Sequence, residues 1–246
     1  MCFGKSGNQE SHSRQSNISV SKNIAFFRDH LNSYDKNVQE LDTYTAIRAS
    51  INQSLQGVAC LLDIGNGGVF DYDTTLVHRI TALDLLFDDP DLSTFLPANV
   101  TLRVGSALDI PEPPDSFDGV LMVMLLHHIV GKTAEESLDN TRRAIKQAWR
   151  VLKPGGKLII VESCVPPWFY FLERKLFCVA SPLINRVLPH PATLQYSPAV
   201  IHELVEAYDP SAEVLRIPKG RWILQFGYKF PSALTPANPY RFVSHK

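Results

Sequence analysis

The sequence predicts an α/β fold, a doubly wound and mostly parallel sheet covered by helices on both faces, with an antiparallel strand at the C-terminal edge and an N-terminal helical lid. Three observations carry this reading. Short runs rich in Val, Ile and Leu recur along the chain, the pattern of strands buried on both faces. Stretches with apolar residues three or four apart separate them. The most informative segment, Leu61 to Gly68 reading LLDIGNGG, carries one such strand through an acid into a glycine-rich turn. In sheets of this kind ligands sit outside the carboxyl ends of the strands, where strand order reverses.

Residues 1–23 are polar, hold too little apolar surface to offset the entropy of ordering, and are expected to be a flexible N-terminus. From Ile24 to Leu55 apolar and aromatic residues, Tyr34 and Tyr44 among them, recur at helical spacing and form the lid (24–56). The remaining 57–246 read as the α/β domain, with a lid or substrate insertion at about 163–196. Val58 to Leu62 is the first strand, Val77 to Leu83 the second, Val100 to Val104 the third and Phe117 to Leu126 the fourth. Ala134 to Val151 is a helix with Glu in its first turn and Arg near its end, matching the helix dipole. Pro154-Gly155-Gly156 breaks the chain before a fifth strand, Lys157 to Glu162. Ser197-Pro198 starts a helix from Ala199 to Tyr208. Ala212 to Ile217 and Arg221 to Phe230 alternate as two strands, expected to pair across Pro218-Lys219-Gly220.

Composition narrows the partners. Twenty-four basic and 25 acidic residues leave a net charge of -1, without the basic surplus that phosphate-backbone binding requires, so no nucleic-acid partner is expected. Cys2, Cys60, Cys164 and Cys178 lack C-x-x-C spacing and read as free thiols, with no metal site. No apolar signal segment opens the chain, and the aromatic stretch from Ser163 to Pro191 is too interrupted to span a bilayer. A cytoplasmic protein without stable membrane insertion, monomer or homodimer, is the expectation.

The chemistry centres on the turn. A dinucleotide turn spaces glycines as G-x-G-x-x-G and meets a pyrophosphate with a helix N-terminus. Here Asp63 stands two residues before Gly65, where its carboxylate would repel phosphate and suit a cation. Gly67 is followed directly by Gly68, and Phe70-Asp71-Tyr72-Asp73 stands where a long helix would begin, so the first helix is expected to be short. Asp84 lies 21 positions beyond Asp63, a spacing that suits a carboxylate accepting from ribose hydroxyls.

In order and spacing, LLDIGNGG at 61–68, Asp84 after ITAL, GSALDIP at 105–111, SFDGVLMVMLLHHI at 116–129 and LKPGGKLIIVE at 152–162 resemble the class I S-adenosylmethionine-dependent methyltransferases, a Rossmann-like family, particularly the branch with small-molecule and quinone methyltransferases. The resemblance implies S-adenosyl-L-methionine as cofactor and a small-molecule acceptor. It implies that Asp63, Gly65, Asn66 and Gly67 hold the methionine end of the donor, Asp84 and Leu85 the ribose and adenine, Ser106 and Ala107 the adenine, and Met124 and Leu125 the region of the sulfonium. From the lid side Tyr34 is assigned to the donor, with Tyr44 as the other tyrosine that could reach it, since spacing does not say which does. Many relatives carry Asp-Ala where this chain has Ser106-Ala107, so Asp109 is the alternative acceptor for the adenine amino group, or a turn cap. His127 and His128 are the candidate catalytic bases, with loop capping or packing beneath the donor as the other reading; on an extended segment only one of the two would face the pocket. Trp168, Tyr170 and Tyr196, with His190, are expected to roof the acceptor, unless the aromatic run is core or dimer packing. A nicotinamide-dependent oxidoreductase and a non-catalytic donor-binding or protein-interaction relative are the alternative functions. Methylation of RNA or protein is less favoured by the neutral charge.

Overall fold

The computed structural model describes residues 41–87, 96–187, 190–225 and 228–246. Along the chain run α1 (Asp42–Ser54), β1 (Cys60–Ile64), β2 (Arg79–Asp84), β3 (Val100–Val104), β4 (Phe117–Val123), α2 (Ala134–Val151), β5 (Leu152–Cys164), α3 (Pro167–Val187), α4 (Pro198–Glu206), β6 (Glu213–Arg216), β7 (Trp222–Gln225), β8 (Tyr228–Pro231) and β9 (Asn238–His245). Tyr34 and the part of the lid before Leu41 lie outside the described residues.

Seven strands form one sheet in the order β3-β2-β1-β4-β5-β9-β6, parallel from β3 to β5 and antiparallel through β9 and β6. Strand order reverses between β1 and β4, which places the ligand crevice at their carboxyl ends. Ile64 stands opposite Leu83 on one side and Met122 on the other, so Gly65, Asp84 and Val123 leave the sheet along one edge. The doubly wound architecture with its antiparallel edge is therefore as the sequence implies.

One pairing differs. β6 joins β9, while β7 and β8 pair antiparallel as a separate two-stranded sheet. Alternation identifies a strand but not its partner, and the strand that recruits β6 begins at Asn238, after prolines that conceal it. β9 is fastened at depth: buried Arg241 donates from Nη1 to Ser50 O and Gln53 Oε1, clamping α1 over the sheet.

Two hydrophobic layers sandwich the sheet. α2, α3 and α4 cover one face around Leu62, Ile145, Ile160, Tyr196 and Phe242, and α1 covers the other around Ile47, Ile51, Leu61 and Ile159. The start of α2 is well specified: Thr133 Oγ1 accepts from Glu136 N–H, and Glu136 Oε2 accepts from Lys132 N–H, a variant of the capping box. Between β1 and β2 no α-helix forms; a single 3-10 turn, Thr74–Leu76, replaces the short helix that was expected.

Candidate active site

At the carboxyl edge lies a cavity of about 400 Å³. The glycine turn forms one wall of it. Gly65, Gly67 and Gly68 have φ of 76°, 59° and 89°, in the left-handed region that glycine adopts without a Cβ penalty. A Cβ at Gly65 would lie 2.5 Å from Leu125 Cδ1, so the close approach of strand ends depends on its absence. Asn66 folds the turn on itself, donating from Nδ2 to Asp63 Oδ2 at 2.8 Å and accepting Gly68 N–H at Oδ1. Tyr72 OH donates to the same Asp63 oxygen at 2.9 Å. Asp63 is 1% exposed, and its Oδ1 has no protein partner. Burial pushes its pKa from 3.8 up to about 7, against the lowering effect of the Tyr72 and Asn66 hydrogen bonds. A buried carboxyl of this kind suits a cationic partner.

The opposite wall comes from β2 and the loop after β3. Asp84 accepts Gly67 N–H at Oδ2 and Leu86 N–H at Oδ1, both at 2.9 Å, so it ties the glycine turn to the end of β2 while keeping lone pairs for a ligand. Its pKa is raised, by burial foremost. Leu85, Ala107 and Leu125 line the cavity, as does Ser106. Ser106 Oγ already accepts Leu108 N–H at 3.1 Å, and exposed Asp109 is not among the lining residues. Glu136 and Asn140 of α2, Asp71, Tyr72 and Tyr44 also face this cavity. Of these, Tyr44 and Tyr72 had a sequence signal, through lid periodicity and through their place after the turn. Glu136 and Asn140 had none, because a surface helix position does not reveal which cavity lies beside it.

Met124 follows β4 with φ 50°, its N–H donating to Val161 O. A non-glycine residue held in this region stores strain, which concentrates at functional positions. Beyond it Leu126–His128 form a 3-10 turn rather than an extended segment, so both His127 and His128 line a second compartment of about 100 Å³, with ring centroids 4.1 Å apart. Of the two, His128 alone lines the larger cavity, and both reach the second because side chains alternate on a strand and not on a tight turn. Tyr44, Met124 and His128 line both cavities.

His127 is oriented by a residue that sequence reasoning left out. Glu162, at 0% exposure on β5, accepts from His127 Nδ1–H at 2.6 Å, Ser163 N–H at 2.7 Å and Leu126 N–H at 2.8 Å. This arrangement assigns the proton to Nδ1, so in the neutral imidazole Nε2 carries the lone pair. Burial, and then the neighbouring His127 and His190, hold the His128 pKa well below the ordinary imidazole value, so His128 is neutral. From the insertion, Phe169, Glu173, His190 and Gln195 line the second compartment. Of the residues named for the acceptor, His190 is thus in place, whereas Trp168, Tyr170 and Tyr196 are not. Trp168 is 65% exposed on the outer face of α3, while buried Tyr170 and Tyr196 pack 6.0 Å apart in the core, Tyr196 OH bonded to Thr141 Oγ1. Helical spacing decides this: Phe169 and Glu173, four apart, share the inward face. Among the described residues no cluster of three potential ligands could hold a metal ion, and no helix is long and apolar enough to cross a membrane.

A sheet of this order, with acidic side chains and a glycine turn at the reversal of strand order, defines a class I S-adenosylmethionine-dependent methyltransferase. The comparisons agree. Residues 62–160 match the family described as a methyltransferase domain. An uncharacterized methyltransferase of Mycobacterium bovis is 30% identical over 179 residues, covering 67% of this chain and 85% of that protein, and the chain belongs to this methyltransferase family. A demethylmenaquinone methyltransferase of Tropheryma whipplei is 33% identical over 117 residues, 47% of this chain and 42% of the relative; that of Symbiobacterium thermophilum is matched over 23% of its length. The chain thus spans less than half of these two relatives. In fold it is similar to 1,6-didemethyltoxoflavin-N1-methyltransferase of Burkholderia thailandensis, with TM-score 0.61, 14% identity and coverage of 94% of this chain and 90% of that one. A Thermotoga maritima S-adenosylmethionine-dependent methyltransferase gives 0.58 at 19% identity, covering 90% and 99%. Two methyltransferases similar in fold, at 14% and 15% identity, were crystallised with S-adenosylhomocysteine.

Proposed function

We propose that the protein transfers a methyl group from S-adenosylmethionine to an O, N or C nucleophile of a small, partly apolar organic metabolite. The observation that carries this reading is the meeting of two cavities at Met124, Tyr44 and His128, a large one with acidic walls and a small one holding an oriented imidazole. The unpartnered Asp63 oxygen fits the donor's ammonium group, the lone pairs of Asp84 fit ribose hydroxyls, and the turn at Gly65 admits the ligand where a Cβ would crowd Leu125. Similar proteins named demethylmenaquinone methyltransferases support a small organic acceptor.

The bound donor supplies an electrophilic methyl on a cationic sulfur. The chain's own part is to align the acceptor atom in line with that methyl, which can account for much of the rate. His127 Nε2 takes a proton from a poorly ionised nucleophile, and Glu162 steadies the imidazolium that results. Neutral His128 packs between the compartments without opposing the sulfonium. The nicotinamide reading has no support: G-x-G-x-x-G is missing, and no helix N-terminus follows the turn to receive a pyrophosphate.

Isothermal titration with S-adenosylhomocysteine, followed by mass spectrometry of methyl transfer into a metabolite panel, tests the proposal. Saturable binding and a mass gain of one methylene on an acceptor are expected. Absence of binding by folded protein would overturn it.

A further inference from the structure

The small compartment has a chemical bias of its own. No Lys or Arg is among its lining residues, whereas Glu173 contributes a carboxyl. Gln195 Oε1 is buried with no hydrogen-bond partner. Glu173 Oε2 accepts Gln195 N–H at 3.1 Å, which leaves its Oε1 for a ligand. His127 has committed Nδ1–H to Glu162 and presents a lone pair at Nε2. Thr43, on the opposite wall, has spent its hydroxyl on Trp222 O and Gly220 N–H. The compartment therefore offers three acceptors, one of them a carboxyl, with no Lys or Arg among its lining residues.

Resting on the methyl-transfer reading above, we propose that the acceptor is a compact amine, held as its ammonium by Glu173 and Gln195 beside His127 and methylated on nitrogen. An ammonium carries three N–H donors, one for each acceptor, and a positive charge for the carboxylate. A phenol or alcohol brings one donor and leaves two buried acceptors dry, and a carboxylate or phosphate acceptor is repelled. Burial alone pushes the Glu173 pKa up to about 7, and a bound cation reverses that shift. Neutral His128 adds no repulsion. The compartment, at about 100 Å³, admits the amine-bearing head while the rest of the molecule extends outward. In the reaction the ammonium gives one proton to His127 Nε2. The nitrogen lone pair then forms the N–CH3 bond as the S–CH3 bond breaks, its electron pair remaining on sulfur. The products are an N-methylammonium, S-adenosylhomocysteine and a proton that passes from His127 to water.

Titration of the S-adenosylhomocysteine-loaded protein at pH 7.5 with the near-isosteric probes benzylamine, benzyl alcohol and benzoate tests the assignment. Benzylamine should bind at least tenfold more tightly than benzyl alcohol, and benzoate not at all. Glu173→Gln should bring benzylamine to the level of benzyl alcohol while S-adenosylhomocysteine affinity, which reports the fold and the donor cavity, stays unchanged. Equal or tighter binding of benzyl alcohol or benzoate, benzylamine affinity unaltered in Glu173→Gln, or no binding of any probe to loaded protein overturns the amine assignment. Failure to bind S-adenosylhomocysteine overturns the methyl-transfer reading instead.

Discussion

Replacing Asp63 by Asn is expected to stabilise the ligand-free protein at alkaline pH while weakening donor binding. In the unfolded chain this carboxyl ionises near 3.8, and in the folded protein burial delays ionisation to about 7. Between those values the folded state holds the extra proton, so stability falls as pH rises through the window and levels off above it. About three units, at roughly 1.4 kcal/mol each, set an upper bound near 4 kcal/mol on the cost of the buried charge at pH 8. Structural relaxation and water entry reduce this to about 1–3 kcal/mol. Asn retains an oxygen for Tyr72 OH and Asn66 Nδ2, so the turn keeps its hydrogen bonds. Urea unfolding at pH 5.5 and pH 8.0 reads the effect: the wild type should lose stability between the two, and Asp63→Asn should lose less. Titration with S-adenosylhomocysteine should show at least a tenfold weaker complex in the variant. A variant less stable than wild type at pH 8, or one with undiminished affinity, would refute the reasoning.

Further outcomes follow from the same geometry. Because Asp63 must ionise opposite the donor's ammonium, S-adenosylhomocysteine affinity should rise up to about tenfold per pH unit towards pH 7 and then flatten, as titration across pH 5–8 would reveal. Gly65→Ala places a methyl group against Leu125 and a side chain in the left-handed region; about 1–2 kcal/mol from the backbone alone should lower the unfolding midpoint and weaken donor binding. Glu162→Gln should cut turnover roughly a hundredfold and move its pH profile, because an amide no longer neutralises the His127 imidazolium. Donor affinity should persist in that variant, since Glu162 does not line the donor cavity. Trp168→Ser should change neither donor affinity nor turnover, as its side chain faces outward.

Much of the donor side was legible in the sequence because local backbone requirements and local chemistry coincide there. Glycines that must adopt positive φ, an acid at the end of β1 and another at the end of β2 announce themselves by position, and α2 was read to the residue because its cap, its dipole charges and its apolar period agree. The acceptor side was less so. Its walls come from α1, the turn after β4, α3 and the segment around Gln195, elements brought together by tertiary packing alone. An aromatic run such as Trp168 to Phe171 supplies both faces of a helix, and composition cannot say which is turned inward; Phe169 and Glu173 line the compartment, whereas Trp168 does not. Glu162 looked like the end of an ordinary strand, and its function emerges only when β4 and β5 set it beside the His127 ring.

The loop between β1 and β2 has a consequence for how the donor is sensed. With no helix to brace it, the turn is fastened instead by the Gly67 N–H bond to Asp84, so the carboxylate proposed for the ribose also tethers the turn that follows Asp63. Whatever competes for Asp84 alters the freedom of that turn, and the converse holds by reciprocity. Adenosine and methionine, presented as separate fragments, should therefore influence one another's binding, and the intact donor should bind with an affinity different from that expected of two independent halves.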